Sequence, residues 1–185
     1  MPAYFCCSSM HTRPEKMNIR MSLLRKIQQL PLLSKFILNR YAPYRGAGIV
    51  IDEMDFANYH VRVEMPLTRK NQNIVGVHFG GSLYSMVDPF YMLLLMHHLG
   101  PKYIVWDKSS TIQFLAPGRG TVYADIRISR QEVQTVKELA ADHRPVYRQY
   151  QLNIYDDSGV RIAEVQKTVY IRLKQSKGKP RASRS

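Results

Sequence analysis

At 185 residues the chain is most simply one domain, long enough to bury a real core. Its formal charge of +13 is concentrated at the ends: residues 1–45 hold eight Lys/Arg against Glu15, residues 174–185 hold five and no acid, and residues 46–173 hold 14 basic against 13 acidic residues. Charge confined to terminal segments argues against a specific nucleic-acid reader, and two adjacent cysteines, Cys6 and Cys7, exclude a disulfide framework and point to the cytoplasm.

Residues 1–16 lack periodicity and are expected to be disordered. From Met21 to Arg40, Leu23, Leu24, Ile27, Leu30, Leu33, Phe36 and Ile37 recur at helical spacing, and Pro31 is expected to divide the run into two short helices. The basic face suits a membrane surface, but docking on the chain's own domain is the more ordinary use of such a helix. Residues 1–45 thus read as a basic segment carrying short amphipathic helices, closed by the turn-rich YAPYRGAG.

The body, residues 46–173, begins with two strand patterns, GIVIDEMD and FANYHVRVEMP. A loop and a long apolar helix follow, then a strand over Tyr103–Leu115 with Ile104, Trp106, Ile112 and Phe114 expected on one face. The turn APGRG leads to a strand over Thr121–Ser129, and residues 131–142 form a helical connection. VYRQYQLNIY and VRIAEVQKTVYIRL then pair as a hairpin through DDSG. The tail, 174–185, is low in apolar residues and expected to be disordered. One apolar helix among antiparallel strands is an α+β design.

The loop and helix carry the chemistry. Asn71 to Pro101 is 31 residues with a single charge, Asp88, followed by Pro89. The Asp-Pro pair, His97–His98 and the glycines argue against a transmembrane segment. A buried carboxylate needs a hydrogen bond, an ion pair or a proton. Asp followed by Pro is also a helix-start signature, so Asp88 is either a cap, a structural ion-pair partner or a catalytic acid.

Asn73, Gly76, His78-Phe79-Gly80-Gly81 and Asp88 seven residues later together resemble the hotdog-fold acyl-CoA thioesterases of the phenylacetyl-CoA type. DKSSTIQFLAPGRG is similar to the strand and turn that follow in that superfamily, while RQEVQTVKELAAD and YAPYRGAGI look closer to a branch of unassigned function. The resemblance implies a curved antiparallel sheet around a central helix, a homodimer or dimer of dimers, and a thioester of coenzyme A or acyl-carrier protein as substrate. It implies Asp88 as nucleophile or general base, Gly81 as oxyanion donor and Asn73 as the group that orients water. His78, Phe79, Gly80, Ser82 and Arg119 are the substrate-binding candidates. No cofactor is implied, and no His/Cys/acid spacing suggests a metal. Two positions depart from the pattern: Phe79 occupies the place of a histidine, and Asp107 falls where a Ser or Thr is usual. Both features favour the alternative, a hotdog protein that binds or senses acyl-CoA without hydrolysing it.

Helix geometry constrains the site. In one continuous helix, seven residues place Asp88 on the face of Gly81 but about 10 Å further along. One carbonyl cannot touch both, so the two must come from different chains.

Overall fold

The structure, a computed structural model, describes residues 31–175. The expectations for residues 1–30 and for most of the C-terminal tail lie outside this range. Helix α1 covers Pro31–Asn39. Asn39 ties the helix to the sheet: its Oδ1 accepts from Ile51 N at 2.7 Å and its Nδ2 donates to Ile51 O at 3.2 Å. The stretch predicted as turn-rich contains a helix, α2, Ala42–Ala47. Pro43 is tolerated in its first turn, buried Tyr44 anchors it, and Gly48 ends it at φ 73°.

Six strands follow as one antiparallel sheet: β1 Val50–Asp55, β2 His60–Met65, β3 Tyr103–Phe114, β4 Val122–Arg127, β5 Val146–Asp156 and β6 Arg161–Leu173. Their spatial order is β1-β2-β4-β5-β6-β3, so β3 lies at an edge. The central helical stretch comprises α3, Gly80–Ser85, and α4, Phe90–Leu99, joined by a turn over 86–89. A further helix, α5, Arg130–Leu139, is capped by Ser129, whose side chain accepts from Glu132 N. The sheet curves around the central stretch in the hotdog arrangement. Phe90, Leu94 and Leu95 are buried completely, in one core with Val61, Val63, Ile126, Ile154, Val165 and Ile171.

One face assignment changes. Asp107 pairs with Val169 but Ser109 pairs with Thr168, so Lys108 is an extra residue in β3. Such a bulge reverses the alternation beyond it. Ile104 and Trp106 therefore fall on the opposite face from Ile112 and Phe114, and Trp106 packs outside against Tyr170 at 5.4 Å. The same reversal leaves Asp107 and Ser110 on the face toward the helix, next to partners described below.

Leu94, fully buried at the centre of this core, gives a direct check of the arrangement. Leu94→Ala is expected to destabilise the fold by about 2–5 kcal/mol in chemical denaturation; a loss within experimental error would contradict the packing.

Candidate active site

Asn71 holds the loop before α3. Its Oδ1 accepts from Thr68 N at 2.7 Å, and its Nδ2 donates to the carbonyls of Ala47 and Pro66, both at 2.8 Å. Asn73 shapes the next turn, its Oδ1 accepting from Val75 N at 3.0 Å and Val77 N at 3.2 Å. That oxygen is thus occupied, and only the side-chain NH₂ of Asn73 remains to orient a water.

His78 is buried and acts as a brace. Its backbone N donates to Gly118 O at 3.1 Å and its Nε2 lies 2.8 Å from Gly120 O. Burial holds its pKa below the ordinary value, which favours the neutral ring. A carbonyl partner requires the proton on Nε2, which leaves Nδ1 as a buried acceptor without a partner among the described residues. Arg119 is exposed in the turn between those two carbonyls. The turn and the loop form a cleft of about 580 Å³ whose wall includes Asn73, His78, Phe79, Gly80, Leu83 and Phe114.

The two glycines lie close against aromatic rings. A Cβ on Gly80 would lie 2.7 Å from the Phe114 ring, and one on Gly81 would lie 2.5 Å from the Phe79 ring. Both amides belong to the first turn of α3, where no carbonyl within the helix can accept them. Phe79, at the N-cap, is 56% exposed. Ser82 is buried and does not line the cleft.

Asp88 lies in a second cluster. It is no cap: the residue at the start of α4 is Pro89, and no side chain caps that end. Asp88 Oδ1 instead accepts from Tyr84 Oη at 2.5 Å and from Lys167 Nζ at 2.8 Å. Lys167 Nζ also donates to the Asp88 carbonyl and, at 3.0 Å, to Asp107 Oδ2. Tyr84 Oη is 2.9 Å from Ser110 Oγ. A phenol has one proton; with it on Asp88, the Ser110 hydroxyl must donate to the Tyr84 oxygen. Where the sequence pattern placed Asp107 in the position of a helpful hydroxyl, the structure supplies Tyr84 and Ser110.

Two carboxylates share one ammonium here. Lys167 is 1% exposed. Burial works against its charge, but the hydrogen bonds and charges of Asp88 and Asp107 outweigh that and hold its pKa above the ordinary value. Asp107 is the poorly satisfied member. Burial pushes its carboxyl pKa up, with the Asp88 charge adding to the effect, and its buried Oδ1 has no partner among the described residues. The Asp88 side chain is 46% exposed, and among the described residues its Oδ2 takes no hydrogen bond.

The residues predicted from the sequence therefore fall into two groups. Asn73, His78, Phe79 and Gly80 line the cleft, with Gly81 and Arg119 on the same loop and turn; Asp88 lies with Tyr84, Asp107, Ser110 and Lys167, none of which lines that cleft. Lys167 was the residue to find: in the alternation Ala163, Val165, Lys167, Val169, Ile171 it occupies a core-facing position.

A family model described as a domain of unknown function, DUF4442, matches residues 31–171. A comparison with curated proteins finds no match. Among solved structures, a Pseudomonas aeruginosa protein of unknown function described as a "probable thioesterase" superposes with a TM-score of 0.65 at 17% identity, covering 83% of this chain and 96% of its own. A Chlorobaculum tepidum protein of unknown function gives 0.64 at 18% identity, covering 80% and 97%. A Haemophilus influenzae thioesterase gives 0.55 at 16%, covering 77% and 90%. At such identities the likeness establishes the fold.

Lys167→Met isolates the contribution of the buried ammonium. At neutral pH it is expected to cost about 3 kcal/mol, the low end for a broken buried pair because Asp88 stays half exposed. A lysine raised on folding contributes stability that is complete below its ordinary value of 10.5 and lost as pH rises through its folded value. The gap in unfolding free energy between wild type and Lys167→Met should stay constant through mild alkali and narrow only above 10.5; a gap already closing at lower pH would contradict the ion pair.

Proposed function

The chain belongs to the DUF4442 family, and on that premise we propose that it hydrolyses an acyl thioester at a site shared by two subunits. The observation that carries this reading is Asp88: one carboxylate oxygen is fixed by Tyr84 and Lys167, and the other has no hydrogen-bond partner among the described residues. A carboxylate held in this way is suited to take a proton from water. The water oxygen then bonds to the thioester carbon while Asp88 receives the proton. The carbonyl oxygen becomes an oxyanion beside the Gly81 amide of the other subunit. Collapse breaks the C–S bond; the sulfur leaves as a thiolate and takes the proton held by Asp88, giving a carboxylic acid, coenzyme A or carrier-protein thiol, and the regenerated carboxylate. Asn73 Nδ2 and the Ser110–Tyr84 hydroxyl pair are the groups available to orient the water.

Two features support a homodimer. The free edge of β3 offers unpaired backbone groups. Phe79 and Phe114 are exposed on the wall of the cleft, and Ile74 and Val75 are exposed on the loop that leads to it, apolar side chains that a second subunit would cover. Phe79, Leu83, Phe114 and Leu115 give the cleft an apolar wall, which suits hydrocarbon acyl groups over small polar acids. No helix among the described residues is long and apolar enough to cross a membrane; a reducing, cytoplasmic setting remains the proposal drawn from Cys6 and Cys7.

A second reading, binding of an acyl thioester without turnover, is favoured by the same ion pair, since an aspartate matched to a lysine also serves as a structural strut. Release of free thiol from short- to long-chain acyl-CoAs separates the two. Asp88→Asn preserves the shape and the acceptor for Tyr84, and kcat is expected to fall about 10²–10⁴-fold. Unchanged turnover in the variant would remove Asp88 from the chemistry, and absence of thiol release by the wild type would leave the binding reading.

A further inference from the structure

We infer that Lys167 is a positioning residue: it grips Asp88 at two points and aims the free carboxylate oxygen at the reacting water. This rests on the hydrolase reading above and adds a residue from a different element to it.

The geometry distinguishes Lys167 from an ordinary strut. An ammonium has three hydrogens. Those of Lys167 meet three acceptors: the Asp88 carbonyl, Asp88 Oδ1 and Asp107 Oδ2. With every hydrogen used, the group has no alternative orientation to adopt. Two of the three contacts fall on the backbone and the side chain of one residue, so they fix the main chain of Asp88 together with its carboxylate. The third pulls from β3, on the strand paired with β6, and stops the lysine from following Asp88 if the helical turn shifts. Tyr84 holds the same Oδ1 from the preceding turn. Both tethers on the carboxylate land on Oδ1, and among the described residues Oδ2 takes no hydrogen bond in a side chain that is half exposed.

The break between α3 and α4 makes this clamp necessary. Pro89 has no N–H to offer the preceding turn, and Leu93 N bonds to Pro89 O, so the helix resumes one residue beyond Asp88. The Asp88 carbonyl would be an orphan in the core, and Lys167 satisfies it. Without the ammonium, Asp88 would sit in an unsupported turn facing Asp107. The ionisable and charged groups around the Asp88 carboxylate are Tyr84 on its own segment, Tyr44 from α2, Asp107 from β3 and Lys167 from β6.

The experiment is the measurement of kcat and KM for thiol release on wild type, Asp88→Asn, Lys167→Met and the double variant Asp107→Asn/Lys167→Met. The double variant removes opposite charges together, so it keeps a folded protein for measurement if Lys167→Met alone fails to fold. Misplacing the base should lower kcat about 100-fold with little change in KM, in Lys167→Met and in the double variant alike. A purely structural lysine would lower the melting temperature and leave the kcat of the folded protein in place. A folded double variant with the wild-type kcat overturns the role of Lys167 while the hydrolase reading stands. Turnover retained by Asp88→Asn, or absent from the wild type, overturns both.

Discussion

An ammonium group enters a protein core only with negative partners, because desolvating it costs several kcal/mol. Lys167 sits there on the helix side of β6, at a position flanked by Val165 and Val169. Much of the surrounding structure follows from its needs. Asp107 reaches it from β3, and the one-residue bulge at Lys108 joins a β3 segment carrying Asp107 inward to one carrying Ser110 inward. Asp88 reaches it from the turn between α3 and α4, where helical bonding restarts at the Pro89 carbonyl and leaves that of Asp88 to the lysine. The break that would weaken an isolated helix is here the point at which the helical stretch is bound to the sheet.

The same clamp would let one aspartate be structural and also serve the proposed chemistry. Its two oxygens have different surroundings: Oδ1 is committed to Tyr84 and Lys167, while Oδ2 has no hydrogen-bond partner among the described residues. The cleft beside the Gly80–Gly81 turn is built by different residues, with the His78 brace holding the loop against the Gly118–Gly120 turn. Within one chain the cleft and the carboxylate share no lining residue. In the proposed dimer, the free edge of β3 and the exposed side chains of Phe79 and Phe114 are the surfaces by which a second copy would bring its own Asp88 to this cleft.

Much of this was legible in the sequence because it is written in local patterns. Alternation located the strands, the uncharged run located the central helix, and the glycine pair marked its first turn. Tertiary contacts were not written that way. Asp88-Pro89 reads as a helix cap from its neighbours, and its actual partner is 79 residues further along the chain. Lys167 itself interrupted an apolar alternation, a signal available to a reading that asked which charges fall on core positions. The β3 bulge was hidden because alternation was expected to continue through it, so Trp106 was assigned the wrong face. The α2 helix was hidden because its Pro and Gly residues, which normally signal a turn, here begin and end a single short helix.

The central claim is that the Gly81 turn and Asp88 act on one thioester from opposite subunits. It is tested most directly by mixing two inactive variants, Asp88→Asn and Gly81→Val, and measuring thiol release from the reassembled dimers. In a mixed dimer, intact Gly81 of one subunit would face intact Asp88 of the other. One working site per mixed dimer, with activity appearing only after subunit exchange, is the expected result. Mixed dimers that form and stay as inactive as either parent would contradict a shared site.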